Sequence, residues 1–390
     1  MPTANWTTVP LTPEYIHGAF ELRQTSDGVA PHRLPSWAVR QANDPQISMM
    51  ESQPSGVRIA FRTAATDVEV TLLRSRSAYL GFPARPDGVI GLVVNGEPVA
   101  HQTTSGGETT TIDFATGQPT VEHGAEFTAH FTGLSDVVKT VEIWLPHNET
   151  IEVRRVAANA PVDAAHVQSR PRWLHHGSSI SQGSNATSPT DIWPVAAARA
   201  GGFDLRNLGF GGSALVDPFM ARTIRDLPAD IISVKLGINL VNTDLMRMRA
   251  FSPAVHGFLD TIRDGHPTTP LLVISPIHCA IHETTPGPGA FDLAALATGN
   301  IRFQATGDPA EAATGKLTLS TIRAELARIV AERQADDANL HYLDGLQLFG
   351  EADEREHPLP DALHPDAATH QLIATRFAQL AFADGGPLAR

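Results

Sequence analysis

Through the first 165 residues, apolar and polar positions alternate in twos. Val57, Ile59 and Phe61 alternate with Arg58, Ala60 and Arg62, and the pattern resumes at Val68, Val70 and Leu72. A period of two sends successive side chains to opposite faces, so these stretches are predicted strands with one face buried and the other toward solvent. Residues 93–99 contain Asn95-Gly96, a pair that takes the positive φ angles of a tight turn, and a hairpin is expected there. Further strands are predicted near residues 109–114, 126–131, 138–145 and 151–156. Short strands punctuated by Gly, Pro and Asn describe an antiparallel, jelly-roll-like β-sandwich. No helix of more than about three turns is expected in this half.

The period changes after residues 157–172, a stretch of Ala, Pro and small polar residues read as a linker. The expected division is a sandwich domain over 1–165 and a second domain over 166–390. In the second part, apolar runs at 173–176, 204–208, 231–236, 271–275 and 340–343 alternate with helical patterns at 190–199, 215–226, 253–264 and 318–333. A last helix is predicted from Asp366 to about Ala381, with Leu372, Ile373, Phe377 and Leu380 inward. Such alternation calls for a parallel sheet with helices on both faces, a three-layer α/β/α domain, with reactive groups at the carboxyl ends of the strands.

Charge and composition narrow the function. A formal net charge of −13, with no basic cluster beyond a dipeptide, argues against a nucleic-acid partner. No apolar run reaches the length of a membrane span, and no secretory signal is visible at the start, so a cytoplasmic location is expected. The single cysteine, Cys279, excludes an intrachain disulfide framework and a cysteine-based metal cluster.

Four short segments converge on one chemistry. His176-Gly177-Ser178-Ser179-Ile180-Ser181-Gln182-Gly183 follows the first strand of the second domain. It places a serine at a strand-to-loop turn. Asn207-Leu208-Gly209-Phe210-Gly211-Gly212-Ser213 follows the second strand and offers backbone N–H groups that no side chain blocks. Gly237-Ile238-Asn239 follows the third, where a carboxamide donates to the same oxyanion. Asp361-Ala362-Leu363-His364-Pro365 precedes the last helix, with carboxylate and imidazole three positions apart. A serine hydroxyl needs a base within hydrogen-bond reach to become a nucleophile. His364 suits that role, and Asp361 suits the fixing of its tautomer. The N–H groups of Ser179 and Gly212 and the side chain of Asn239 make a candidate oxyanion hole; a shift of one register substitutes Gly211 for Gly212.

On these blocks, residues 172–384 resemble the SGNH, or GDSL, hydrolase superfamily. The resemblance implies a flavodoxin-like fold with Ser179 as nucleophile, Gly212 and Asn239 as oxyanion donors, and Asp361 and His364 as the remaining catalytic pair. It implies no metal and no organic cofactor. A sandwich ahead of such a domain is similar to the layout of family members acting on acylated sugars and other small esters. Two positions depart from the pattern: Ser178 stands where the family usually has Asp, and Leu240 where Asp often follows the asparagine.

The expected function is therefore a serine esterase acting on a small-molecule acyl ester, with a carbohydrate as one candidate alcohol. The same residues serve an acyltransferase that delivers the acyl group to an alcohol. A reading of another class is a carbohydrate-binding protein with an inactive hydrolase domain, and Trp144, off the face of Val141, Ile143 and Leu145, is its candidate stacking residue or else a packed one. Ser181 and Ser213 read as loop serines, and His175 and His176 as structural. His278 and His282 are candidate pocket residues. With Cys279 and Glu283 they also raise a metal site, but no His-Glu-x-x-His spacing supports it.

Overall fold

The computed structural model describes residues 6–113, 116–165 and 169–389. Phe114, at the end of one expected strand, and residues 166–168 of the expected linker lie outside them. The chain forms two compact units, and the segments Ser36–Ile47 and Thr187–Thr190 each join the unit opposite to their neighbours in sequence.

The first unit holds two sheets. One has eight strands, in the order Pro119–His123, Glu108–Ile112, Val68–Tyr79, Thr150–Ala158, Val29–His32, Glu21–Gln24, with Thr7–Thr8 and Phe127–Phe131 paired alongside. The other has six, ordered Val162–Ala164, Arg58–Thr63, Lys139–Trp144, Val89–Val94, Glu97–Thr103, with Ile16–His17 on Arg58–Thr63. Apolar side chains of both sheets, among them Ile59, Phe61, Val70, Leu72, Leu92, Val141 and Val153, form one continuous core. Pairing is antiparallel except between Val68–Tyr79 and Glu108–Ile112, which run parallel. The predicted hairpin forms on Asn95 and Gly96, with φ of 51° and 89°.

One expectation needs correcting in this unit, and Trp144 takes the packed one of its two readings. The alternate residues of Arg58–Thr63 do not face solvent: Arg58 and Ala60 are buried as fully as Ile59 and Phe61. Trp144 is buried as well, with the Arg58 guanidinium 5.0 Å from its ring centre and its Nε1–H donating to Glu142. A strand covered on both faces keeps its alternation of residue types but loses its alternation of exposure. An Arg satisfied by an aromatic face and a carboxylate tolerates that burial. Two short helices, Ser36–Ala42 and Pro45–Glu51, also interrupt this half.

The second unit is built on a five-stranded parallel sheet. Its order is Asp204–Gly209, Arg172–Gly177, Ile231–Lys235, Leu271–Ile274, Leu340–Leu343. In chain order this is 2-1-3-4-5, the flavodoxin-like arrangement. The helices fall into two packed groups. Trp193–Gly201 meets Ala367–Phe377, while Pro218–Asp226 meets Met248–Gly265, which also touches Leu319–Arg333. Right-handed crossovers in this strand order put the two groups on opposite faces. Trp173 anchors the first face, stacked on Phe377 at 5.2 Å and edge-on to Phe382 at 5.1 Å. The last helix turns into a π-helical segment at Ala378–Phe382. Its wider turn moves the inward face to Ala381, so Leu380 is exposed rather than inward.

The crevice between Arg172–Gly177 and its two neighbours is the topological switch point, where sheets of this order bind ligands. Asp217, the N-cap of Pro218–Asp226, follows the loop at the end of Asp204–Gly209. Burial, and then the nearby Asp44 carboxylate, push its carboxyl up to about 6. The folded chain thus holds this proton more tightly than the unfolded chain does, and stability is lost as pH rises from about 4 through 6. Asp217→Asn, which costs the helix no capping bond because the Asp217 side chain makes none, is expected to stabilise the protein by about 1 kcal/mol at pH 8 and by almost nothing at pH 4. Thermal melts at the two pH values check this; equal shifts at both contradict it.

Candidate active site

The strand Arg172–Gly177 ends in a tight turn into the short helix Ser179–Gln182. Gly177 is required because a Cβ there would lie 2.4 Å from Ser181 Oγ, and Gly209 because one would lie 2.5 Å from Gln182 N. Ser178 caps the helix, its Oγ accepting from Ile180 N at 3.4 Å. Serine and aspartate are both good N-caps, so this departure from the family pattern keeps the local structure. The helix stops at Gly183, with φ of 115°. Leu240 is fully buried, an apolar core residue in place of the usual acid.

From this turn Ser179 Oγ lies 2.9 Å from His364 Nε2. His364 Nδ1 lies 2.8 Å from Asp361 Oδ2. The second carboxylate oxygen of Asp361 accepts the N–H groups of Leu363 at 3.0 Å and His364 at 2.7 Å. A loop closed on its own carboxylate needs an unusual backbone, and Ala362 supplies it with φ of 65°. Burial acts to raise the Asp361 pKa, but the bonds from the His364 ring and the two backbone N–H groups outweigh it and hold the carboxyl below its usual range. Asp361 is therefore an anion, able to hold His364 with Nδ1 protonated and Nε2 facing the serine.

The last helix ties this loop to the nucleophile turn. His370 Nε2 donates to Ser184 O at 3.0 Å, and its Nδ1 accepts Trp193 N–H at 3.3 Å. The bond accepted by Nδ1 needs a neutral ring, and burial holds its pKa down to about 4.

The oxyanion candidates sit at the ends of the two neighbouring strands. Gly211 N–H is committed to Gln182 Oε1 at 2.7 Å. Gly212 N–H, by contrast, has no partner among the described residues. Gly212 has φ of 74°, a left-handed conformation that favours glycine. Asn239 lies in the short helix after Gly237, is almost fully buried, and accepts Ala214 N–H on its Oδ1 at 3.0 Å. The bond fixes the carboxamide so that Nδ2 is its remaining donor.

The other singled-out residues have structural partners. Ser181 is buried, its Oγ 2.8 Å from His175 Nε2, and His175 Nδ1 reaches Ser233 Oγ at 2.7 Å. His176 donates to Leu208 O at 2.7 Å. Burial keeps both rings neutral. Ser213 bonds to Gly211 O. His278 pairs with Glu354. His282 is fully buried with Nδ1 on Thr285 O, so it presents no surface to a substrate, contrary to the expectation of a pocket residue. Among the described residues no three His, Cys, Asp or Glu side chains are grouped to hold a metal ion. No helix among them is long and apolar enough to cross a membrane.

One site neighbour was not foreseen. The small antiparallel pair Gly289–Phe291 and Phe303–Ala305 brings Phe303 edge-on to the His364 ring at 5.6 Å, with Phe291 packed behind it at 5.0 Å. Phe303 N–H also donates to Asp361 O at 2.8 Å. The run from 289 to 305 is rich in Ala, and no periodicity marks it as strand.

Comparison with known proteins bears on the family and the fold. Residues 176–372 match the model of the GDSL-like lipase/acylhydrolase family, and residues 14–154 match that of the SsfX3 N-terminal domain. Among solved structures, the salicylyl-acyltransferase SsfX3 from a tetracycline biosynthetic pathway is similar over 95% of each chain, with 27% identity and a TM-score of 0.77. A GDSL-like lipase, so described, from Bacteroides ovatus ATCC 8483 shares the fold over 96% of each chain, at 17% identity and a TM-score of 0.67. A family two carbohydrate esterase from Clostridium thermocellum, seen with cellohexaose, shares it over 83% of this chain and 91% of its own, at 15% identity and a TM-score of 0.54. No curated protein matches. With the family model spanning half of the sequence and the blocks assembled at the switch point, the chain belongs to the GDSL-like lipase/acylhydrolase family.

Proposed function

We propose that the protein is a serine enzyme that takes the acyl group of a small-molecule ester onto Ser179 and passes it on. The unbroken hydrogen-bond chain from Ser179 through His364 to Asp361 carries the reading. His364 Nε2 takes the proton as Ser179 Oγ attacks the ester carbonyl, and Asp361 balances the imidazolium that forms. The N–H groups of Ser179 and Gly212 and the Asn239 amide meet the oxyanion. Collapse expels the alcohol, protonated by His364, and leaves acyl-Ser179. Water or a second alcohol, deprotonated by the same ring, then takes the acyl group. No step calls for a cofactor. In this reading residues 1–165, apart from the segment Ser36–Ile47, form a separate sandwich domain and 166–390 carry the chemistry.

Transfer to a small-molecule alcohol is favoured as the second half-reaction by one observation. The likeness to the acyltransferase SsfX3 extends over nearly the whole chain and includes a match to its N-terminal domain. A sugar-binding role for the sandwich loses its best residue, since Trp144 is buried.

A fluorophosphonate probe tests the nucleophile. Intact-mass and peptide analysis should find one adduct, on Ser179. An adduct on another serine rejects the assignment. With p-nitrophenyl acetate and an added alcohol, new ester formed at the expense of acetate marks the transferase, and acetate alone marks the esterase.

A further inference from the structure

The carbonyl of Gly211 and the N–H of Gly212 belong to one peptide unit, so whatever binds the carbonyl acts on the oxyanion donor. Gln46 Nε2 donates to Gly211 O at 2.9 Å, from a residue 165 positions away in sequence. The same nitrogen lies 3.4 Å from the place a Gly212 Cβ would occupy. On the other side of Gly211, the preceding peptide is held through its N–H by Gln182. Two side-chain amides, one from the nucleophile helix and one from far upstream, thus grip both peptides that flank Gly211.

Gln46 is itself held. It stands at the start of the helix Pro45–Glu51, and its own N–H bonds to Asp44 Oδ1 at 2.8 Å. The segment Ser36–Ile47 that carries it belongs to the α/β unit. The helix Ser36–Ala42 packs on Pro218–Asp226, where Trp37 faces the Arg222 guanidinium at 5.3 Å and Gln41 bonds to Arg222. The anchor is therefore a built contact of this unit.

We propose that Gln46 is a positioning residue that orients and polarises the Gly212 N–H. The inference rests on the acyl-Ser179 reading. A donor on an amide oxygen draws electron density from its nitrogen and makes the N–H a stronger donor, and it also fixes the plane of the peptide. Both effects matter most when negative charge develops on the substrate oxygen, so they favour the transition state over the ground state. Ser213 Oγ also donates to this carbonyl, at 3.4 Å, a longer and weaker bond than that of Gln46.

The test compares wild type, Gln46→Glu, Gln46→Ala, Gln46→Lys and Ser179→Ala with p-nitrophenyl acetate. Gln46→Glu keeps the shape and removes the donor. Gln46→Lys keeps a donor. Loss of the donor is expected to lower kcat roughly 10-fold with KM within about 2-fold, less than the 10²–10³ for an oxyanion donor itself. The Gly212 amide signal in a ¹⁵N correlation spectrum should move in Gln46→Glu and Gln46→Ala, and Gln46→Lys should recover most of kcat. Wild-type kcat in both donorless variants overturns the proposal, as does a loss in Gln46→Lys equal to that in Gln46→Ala. A loss that tracks a fall in Tm assigns Gln46 to stability alone and overturns it as well. If Ser179→Ala stays active, it is the acyl-serine reading that fails; if it is silent and the Gln46 variants are fully active, only the role of Gln46 fails.

Discussion

Ser179→Ala is expected to lower kcat for p-nitrophenyl acetate by roughly 10⁴-fold or more, while its circular dichroism and Tm match wild type. Ser179 is a helix N1 residue whose hydroxyl bonds, among the described residues, only to His364, so truncation leaves the turn held by Ser178, Gly177 and Gly183. His364→Ala should cost about as much, and the double variant no more than either single one. The reason is that a nucleophile and its base act as one device: without the base the hydroxyl is inert, and without the hydroxyl the base has nothing to activate. Additive losses would place the two residues in separate roles. Full activity in Ser179→Ala would remove the nucleophile assignment altogether.

The second large effect concerns Asn239. Asn239→Ala should reduce kcat by roughly 10²–10³ with little change in KM, because the amide is called upon only when the carbonyl oxygen becomes an anion. Asn239 also accepts Ala214 N–H on its Oδ1, so the alanine variant should lose about 1 kcal/mol of stability. Asn239→Asp separates the two roles. It keeps an acceptor for Ala214 and loses the donor, placing a carboxylate where the oxyanion forms, so its activity should fall at least as far as that of the alanine variant. Steady-state kinetics and thermal melts on the two variants check this. A rise in KM with kcat unchanged would make Asn239 a ground-state binder.

Much of the site was legible because each of its parts is local. The chain marks a nucleophile turn by Gly177 before and Gly183 after, an oxyanion loop by Gly209, Gly211 and Gly212, and a base by its distance from Asp361. These are features of a few consecutive residues: a positive φ, a close approach, a capping hydroxyl. The alternation of apolar runs and helical periods fixed that they lie at the ends of parallel strands. Ser178 belongs here too, since the capping function of the usual Asp survives in serine.

What escaped the sequence is non-local. Arg58 and Ala60 alternate with apolar residues as a half-exposed strand would, yet both are buried, because burial depends on what covers the second face. Leu380 kept its helical spacing but was turned outward by a π-helical segment, which no period announces. His282 has the residue type of a ligand and the surroundings of a core group. Phe303 reaches His364 from a pair of short strands with no alternating pattern.

The sequence by itself therefore determined the order of elements, the parallel sheet and the identity of the nucleophile, base and acid candidates, since these are written in spacings of two to eight residues. Only the tertiary structure decided which glycine N–H is left without a partner among the described residues, by spending that of Gly211 on Gln182, and only it brought Gln46 to the peptide between Gly211 and Gly212. Backbone conformation is set by neighbours along the chain, but a hydrogen bond across 165 positions exists only once the packing of whole elements has placed its two ends within 3 Å.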